Sequence, residues 1–165
     1  MSQTKTLSSQ IPIEGATLIF RNFTGAGGRF NQEGDRNFNV ILPPAVEKQL
    51  IAEGWNVRYL NPRDEDDSPT PILKVKVAFG NYPPKIVLIG AGNVHTLLDE
   101  TTVGTLDWSE LSNVDLIIRP YSWEVSGKSG VSAYLKTLYA TMAEDVFAEK
   151  YATPTVKQTE EDPLG

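Results

Sequence analysis

Two strand-like segments of this 165-residue chain carry aromatic and cationic side chains at alternate positions. The first spaces Arg119, Tyr121 and Trp123 two residues apart, and the second does the same with Tyr134 and Lys136. Alternate residues of a β-strand share one face, so each set would lie together. Unpaired bases stack on exposed aromatic rings for about 1–3 kcal/mol each, while cations contact the phosphates. The pattern therefore indicates a surface for single-stranded nucleic acid.

The two segments read as one β-hairpin, because a Gly-Lys-Ser-Gly turn joins them within residues 113–139. Packing offers a competing explanation, since aromatic residues at alternate strand positions often belong to a core. On the first strand, Leu116, Ile118 and Pro120 form the opposite, apolar face. We expect at least two of the rings of Tyr121, Trp123 and Tyr134 to be exposed enough to stack.

The same combination of side chains recurs on other extended segments. In ILKVKVAF (72–79), Lys74 and Lys76 alternate with apolar residues that run to Phe79, so both lysines should be exposed. A glycine-rich loop (24–35) should cover a bound strand like a flap. The candidate phosphate contacts are Arg21, Arg29, Arg36, Lys74, Lys76, Arg119, Lys128 and Lys136. The candidate stacking residues are Phe23, Phe30, Tyr121, Trp123 and Tyr134.

The formal net charge of −6 argues, taken alone, against a nucleic-acid partner. The acidic residues are concentrated, however, in RDEDDS (63–68) and in TEEDPLG (159–165). Those two stretches hold one arginine and seven acids, so the rest of the chain has 14 basic and 14 acidic residues. A neutral body of this kind can still present a basic face.

Composition also limits the cellular context. The chain has no cysteine, which excludes disulfides and thiolate metal sites. No apolar run approaches the ~20 residues that cross a bilayer, and the polar start MSQTKTLSSQ has no signal-peptide core. We therefore expect an intracellular protein without a membrane partner.

Alternation of apolar residues predicts roughly six or seven strands, separated by short turns that contain glycine or proline. One convincing helix is predicted at residues 43–54, with proline near its start, an apolar stripe of Val46, Leu50 and Ile51, and Gly54 at its end. A short helical turn is expected at 143–151. A strand-rich chain with a single helix fits a small closed barrel, because a parallel α/β sheet would need a helix after most strands.

Three domain segments follow from this pattern. Residues 1–13 should be a flexible lead, residues 14–151 the folded domain, and residues 152–165 an acidic, disordered tail. Within the tail, Glu160, Glu161, Asp162 and Leu164 are the candidate residues for binding a partner.

Several motifs that suggest catalysis or a cofactor are incomplete. SGKSG resembles a phosphate-binding loop, but Ser122 stands where that motif needs a glycine. GAGNVH has His95 where a dinucleotide fingerprint needs its third glycine, and His95 is the only histidine. The acids at 64–67 lack the spacing of a calcium loop. We therefore expect turns and a solvated loop here, with no metal, no cofactor and no catalytic residue.

Four runs of the sequence resemble a known family: FRNFTGAGGRFNQEGDRNFNV, GWNVRYLNPRDED, NYPPKIVLI and LDWSELSNVDLIIRPYSWEVSGKSGVSAYLKTLYATM. They are similar to the OB-fold single-stranded-DNA-binding proteins of tailed bacteriophages, over roughly residues 18–151. The most specific part is the last run, with Arg119-Pro120-Tyr121, Trp123, Gly127-Lys128 and Ala133-Tyr134-Leu135.

The resemblance implies a mainly β, OB-fold-like five-stranded barrel with extra strands, one main helix and an acidic tail. It also implies a role in the cytoplasm of an infected bacterium, where the tail would recruit replication or recombination proteins. One departure concerns the end of the tail. Bacterial single-strand binders usually finish with an aromatic residue, but this chain finishes Pro163-Leu164-Gly165, so Leu164 would take that role or the tail would act through charge alone.

The sequence thus favours a non-enzymatic, sequence-tolerant binder of single-stranded DNA. Two rivals stay open. A protein-interaction module on the same barrel, such as a recombination mediator or a structural phage component, would bury the aromatic residues and have no basic groove. A nuclease or nucleotide-binding enzyme would need a metal or phosphate site that these residues do not assemble. Oligomeric state and the choice between DNA and RNA stay undetermined.

Overall fold

The computed structural model describes residues 8–29, 31–62, 64 and 68–143. These residues form nine strands and one α-helix. In chain order the elements are β1 (Ile11–Ile13), β2 (Thr17–Asn22), β3 (Arg36–Ile41), α1 (Pro44–Glu53), β4 (Val57–Leu60), β5 (Thr70–Val77), β6 (Lys85–Gly90), β7 (Val94–Leu98), β8 (Leu111–Val125) and β9 (Lys128–Met142). Short 3₁₀ segments lie at Ala91–Asn93 and Val103–Asp107. No helix in the described part of the chain is long and apolar enough to cross a membrane.

All nine strands belong to one open, mixed sheet, so the prediction of a mainly β, OB-like fold with one helix is confirmed. The hydrogen-bonded order β1-β8-β9-β5-β3-β2 forms the main path, while β4 pairs with β5 and β6 pairs with both β7 and β9. Two strands exceed the predicted number: β1 lies in the predicted lead, and β7 follows the Gly-Ala-Gly turn.

The long strand β9 is the branch point of the sheet. One edge pairs antiparallel with β8 along almost its whole length. Its other edge pairs with two parallel strands in succession: β5 at Ala133 and Tyr134, and β6 from Thr137 to Thr141. A register shift between these contacts leaves Lys136 as the extra residue of a β-bulge. The bulge reverses which residues face the core, so Ala133 and Leu135 are buried before it and Leu138 after it.

The core follows the alternation that the sequence predicted for β5. Leu73, Val75 and Val77 are buried, and Lys74 and Lys76 are exposed, as predicted. The matching apolar faces of β3, β8 and β9 pack against this row, so one cluster fills the interior. The side chains that this packing sends outward are the polar and cationic ones.

Helix α1 begins at Pro44, where the missing N–H costs nothing, and ends at Gly54 in a left-handed conformation with φ of 87°. The Gly54 N–H donates to the Ile51 carbonyl, and the Trp55 N–H to that of Leu50. Leu50 is buried and Val46 packs on the core, but Ile51 is 50% exposed. The prediction that Ile51 belongs to the buried stripe was wrong. Val46 and Leu50, four residues apart on one face of the helix, make the contact with the core instead.

The turn between β8 and β9 has positive φ at Ser126 (52°) and Gly127 (80°). This is a two-residue hairpin turn, which matches the right-handed twist of the flanking strands. A phosphate-binding loop is therefore excluded here, because the two strands are joined by only two residues. The Gly-Ala-Gly motif likewise lies between antiparallel β6 and β7, whereas a dinucleotide fingerprint leads from a strand into a helix.

The predicted flexible lead extends too far. Ile11 and Ile13 pair with β8 and are almost fully buried, so residues 11–13 belong to the fold. Alternation over only three residues is too short to reveal such a strand from the sequence. The predicted helical turn at 143–151 lies, apart from Ala143, outside the described residues, as does the tail at 152–165 with Glu160, Glu161, Asp162 and Leu164.

Glu53 connects the amino-terminal segment to the helix and the core. Its Oε1 accepts hydrogen bonds from Ser8 N (3.1 Å) and Trp55 Nε1 (3.0 Å), and its Oε2 accepts from Ser8 Oγ (2.9 Å) and Gln49 Nε2 (3.1 Å). Burial raises the pKa of this carboxyl, but the four hydrogen bonds together outweigh burial and hold the pKa below its ordinary value of 4.5. The ionised form of Glu53 therefore stabilises the fold.

We expect Glu53→Gln to lower the free energy of unfolding by about 1 kcal/mol at neutral pH, since the amide cannot accept at both positions. The folded pKa is below the unfolded one, so this contribution is present above the unfolded pKa and disappears as pH falls through the folded pKa. Urea unfolding between about pH 7 and pH 3 should show the two proteins converge at the acid end. Glu14→Gln, at an exposed carboxyl, is the control. A constant difference across this range would contradict the role of the charge.

Candidate nucleic-acid interface

Three side chains from adjacent strands form a row on the outer face of the sheet. Lys76 on β5 lies beside Tyr134 on β9, and Tyr134 lies opposite Arg119 on β8. The Lys76 Nζ is 5.9 Å from the centre of the Tyr134 ring, and the Arg119 Cζ is 5.3 Å from it. Cations at these distances are attracted to the ring electrons. We call Lys76, Tyr134 and Arg119 the cation–tyrosine row.

A second ring extends the row along β8. Tyr121 lies two residues beyond Arg119 and contacts Tyr134 edge to face, with 5.8 Å between ring centres and 69° between planes. Tyr121 is 55% exposed and Tyr134 is half-buried. The face thus presents two aromatic rings and two cations within a few ångströms, which is the combination that contacts unpaired bases and their phosphates.

The cation–tyrosine row borders an open cleft of about 400 Å³, which we call the main cleft. Arg36, Lys74, Lys76 and Tyr134 line it, together with Phe79 and the acids Asp35 and Glu100. The guanidinium of Arg36 lies 5.5 Å above the Phe79 ring, and its Nη1 donates to the Phe23 carbonyl at 2.8 Å. Arg36 is therefore held in place at the cleft before any ligand arrives.

The glycine-rich loop beside this cleft is held by its own hydrogen bonds. The buried Asn37 donates through Nδ2 to Asn31 Oδ1 (2.9 Å) and to the Asp35 carbonyl (3.1 Å). Asn31 Nδ2 in turn donates to the Ala26 carbonyl at 2.9 Å. These bonds connect the described part of the loop to β3 next to the main cleft, and its closing over a bound strand like a flap stays a prediction.

Two predicted DNA contacts are placed elsewhere by the structure. The stacking role of Phe23 was wrong: the residue is 0% exposed and its ring stacks on Phe38 with 5.0 Å between centres. β2 ends at Asn22, so the alternation that paired Phe23 with Arg21 does not continue. Arg21 Nη1 donates at 2.8 Å to both the Leu106 and Ser109 carbonyls, away from the main cleft.

Other predicted contacts are more scattered. Trp123 is half-buried near the hairpin turn, where its ring covers Gly130; a Cβ on Gly130 would lie 2.7 Å from that ring. Lys128 begins β9 at the same end and is exposed, as is Arg29 in the glycine-rich loop. Phe30 lies outside the described residues. Lys136, Arg119 and residues of the β5–β6 loop line a neighbouring cleft.

The sequence reasoning missed two aromatic residues at these clefts. Phe79 was predicted to face the core, and it does pack partly against the core, but its ring also lies under the Arg36 guanidinium and lines the main cleft. Tyr82 was not predicted as a contact, although it is 80% exposed beside Arg119 and Lys136. Its position before two prolines was the available signal, because such a residue is held extended.

An OB-like β fold with cations and aromatic rings on one open face is typical of nucleic-acid-binding domains. The family model of the phage ssDNA-binding domain matches residues 1–163. The chain therefore belongs to the phage ssDNA-binding domain family. No protein with a curated description matches it in sequence.

Solved structures of the bacteriophage Enc34 protein show the same fold at low sequence identity. The single-stranded DNA-binding protein from bacteriophage Enc34, in complex with ssDNA, is 11% identical, with a TM-score of 0.55 over 88% of this chain and 95% of the other. A second structure of the Enc34 protein is also 11% identical, with a TM-score of 0.54 over 93% and 94%. The gp2.5 protein of bacteriophage T7 is 10% identical, with a TM-score of 0.40 over 94% and 98%.

Truncating two of the five predicted stacking residues should distinguish a core residue from a surface residue. Phe23→Ala should lower the free energy of unfolding by about 3–5 kcal/mol, because it leaves a cavity in the core. Tyr121→Ala should cost about 1 kcal/mol or less, since it loses only an exposed edge contact. Urea unfolding followed by tryptophan fluorescence measures both. Equal losses would contradict these assignments.

Proposed function

We propose that this chain binds single-stranded DNA without sequence preference, as a non-enzymatic protein of phage DNA replication, recombination or repair. The observation that carries the proposal is the cation–tyrosine row of Lys76, Tyr134 and Arg119, with Tyr121 beside it. Membership in the phage ssDNA-binding domain family supports it. The fold is shared with an Enc34 protein whose structure includes ssDNA.

The mechanism follows from where each group lies. A base would stack on Tyr121 or on the accessible part of Tyr134, which every base can do because each has a π-face. Lys76, Arg119, Lys74 and Arg36 would contact the phosphates on either side of that base. Stacking and charge carry no base identity, so binding would tolerate any sequence.

The overall acidity of the chain does not oppose this reading. Interactions between exposed charges fade beyond about 10 Å at moderate salt. A phosphate in the main cleft would therefore respond mainly to the nearby cations, although Asp35 and Glu100 at its margin would weaken their effect. We infer that the protein acts in the cytoplasm of the infected bacterium, where phage DNA is copied.

Titration with poly-dT should quench tryptophan fluorescence, or raise the anisotropy of a labelled oligonucleotide, at about 50 mM salt and much less at 300 mM. Lys76→Ala should weaken binding and reduce the slope of log K against log salt by about 0.7, the value for one lost phosphate contact. Lys48→Ala, an exposed lysine on α1, is the charge-matched control and should change the slope little.

Several outcomes would contradict the proposal. Absence of binding at either salt concentration would favour a protein-interaction module. Binding that does not respond to salt, or that weakens equally in both lysine variants, would remove the cation–tyrosine row as the site. Cleavage of the oligonucleotide in the presence of magnesium would instead indicate a nuclease.

We also propose that the acidic tail, with Glu160, Glu161, Asp162 and Leu164, occupies the main cleft when DNA is absent. When DNA is present, the displaced tail would be free to bind replication or recombination proteins. Deleting residues 152–165 should then tighten DNA binding severalfold, most at low salt, because a competing anion is removed. A charge-neutral tail carrying Gln and Asn at the three acidic positions should reproduce the effect at unchanged length. Unchanged affinity in both variants would show that the tail does not compete.

A further inference from the structure

A second cleft adjoins the cation–tyrosine row on the side away from the main cleft. Its volume is about 480 Å³, and its lining is Asn81, Tyr82, Pro83, Arg119 and Lys136. Tyr82 is 80% exposed, the highest exposure among the large apolar and aromatic side chains of the described residues. Arg119 also contacts Tyr134, so this side cleft is continuous with the row.

The topology of the sheet explains why Tyr82 lies here. β5 leaves the edge of β9 beside Tyr134, and β6 joins the same edge beside Thr137. The loop between them, residues 78–84, must therefore pass the bulge at Lys136, which lies between those two contacts. The bulge directs Lys136 outward beneath the loop. An aromatic ring and two cations from three different elements thus meet at one point.

The loop holds Tyr82 with little freedom. A proline follows it directly, which restricts Tyr82 to extended conformations, and a second proline, Pro84, is buried and anchors the loop. Ordering a residue of this kind on a ligand costs less conformational entropy than ordering a residue of a flexible loop. An exposed ring on a stiff support is what a stacking platform requires.

We propose that Tyr82 stacks on a base at the end of the bound strand, with Arg119 and Lys136 contacting the adjoining phosphates. This subsite rests on the proposed binding of single-stranded DNA and extends the path of the strand from the main cleft, past Tyr134, to the β5–β6 loop. The Lys136 Nζ donates to Gln10 Oε1 at 2.6 Å, and because that amide is a neutral partner, this contact is a hydrogen bond and not an ion pair.

Acidic protein segments would also be attracted to two cations, but a strand of nucleic acid fits the side cleft better. Its lining combines an exposed ring and a proline with those cations, and one of them, Arg119, also contacts the ring of Tyr134. A carboxylate uses only the charges, whereas a nucleotide uses the charges and the ring. Removing the Tyr82 ring should therefore weaken the binding of a nucleotide but not that of an acidic peptide, and an experiment can test this difference.

The test uses the full chain and a series of oligo-dT ligands that lengthens from about four nucleotides. Tyr82→Ala should bind the shortest ligands as the unchanged protein does and the longer ones about tenfold more weakly, since only longer strands reach the side cleft. Tyr82→Phe should bind like the unchanged protein at every length. Tyr134→Leu should weaken binding at every length. Tyr59→Ala, which removes an exposed tyrosine on β4, is the control for loss of surface area.

A 2-aminopurine placed at either end of the longer ligand gives an independent readout, because its fluorescence is quenched on stacking. Quenching at one end only, lost in Tyr82→Ala, would support the subsite and define the polarity of the strand. Equal affinities of Tyr82→Ala and the unchanged protein at every length would overturn the subsite while leaving the proposed function intact. If Tyr82→Ala changed only the effect of deleting residues 152–165, the side cleft would instead bind the acidic tail, and the inference would fail.

Discussion

The pairing of one edge of β9 with two parallel strands is the constraint on which the rest of the surface depends. β5 pairs with Ala133 and Tyr134, and β6 pairs with the residues from Thr137 to Thr141. Because both strands need that edge, the chain between them must pass the bulge at Lys136. This one arrangement places Lys76 beside Tyr134 and brings the β5–β6 loop to Arg119. Without the branch, these residues would lie on separate parts of the sheet.

The outer face of the sheet carries cationic and aromatic side chains because buried apolar residues occupy the inner face. The buried rows of β5, β8 and β9 leave their alternate positions to Lys76, Arg119 and Tyr134, which lie on three adjacent strands. Strands in a sheet are about 4.8 Å apart, so side chains at matching register are close enough for cations to contact a ring. The Arg36 hydrogen bond to the Phe23 carbonyl fixes one more cation at the margin. The proposed binding surface is therefore held in place by contacts within the protein.

Sequence reasoning worked where a long strand alternates regularly and failed where a strand ends. Lys74 and Lys76 were predicted to be exposed, and they are, because β5 is regular from Thr70 to Val77. Phe23 lies just beyond the end of β2, so the alternation assigned this buried residue to the exposed side. Phe79 lies beyond the end of β5 and packs on the core as predicted, but its contribution to the main cleft was missed. Residues 11–13 form too short a strand to show periodicity, yet their isoleucines complete the core.

The sequence by itself determined the mainly β character, the single proline-initiated helix, the hairpin of β8 and β9 and the residue types of the outer face. These are local properties, which depend on alternation, turn residues and caps within a few positions. Only the tertiary structure decided which cations surround Tyr134, that Arg21 bonds to backbone carbonyls instead, and that Tyr82 joins the face. Those outcomes depend on the order and register of strands distant in the chain, and alternation within one strand contains no information about its neighbours.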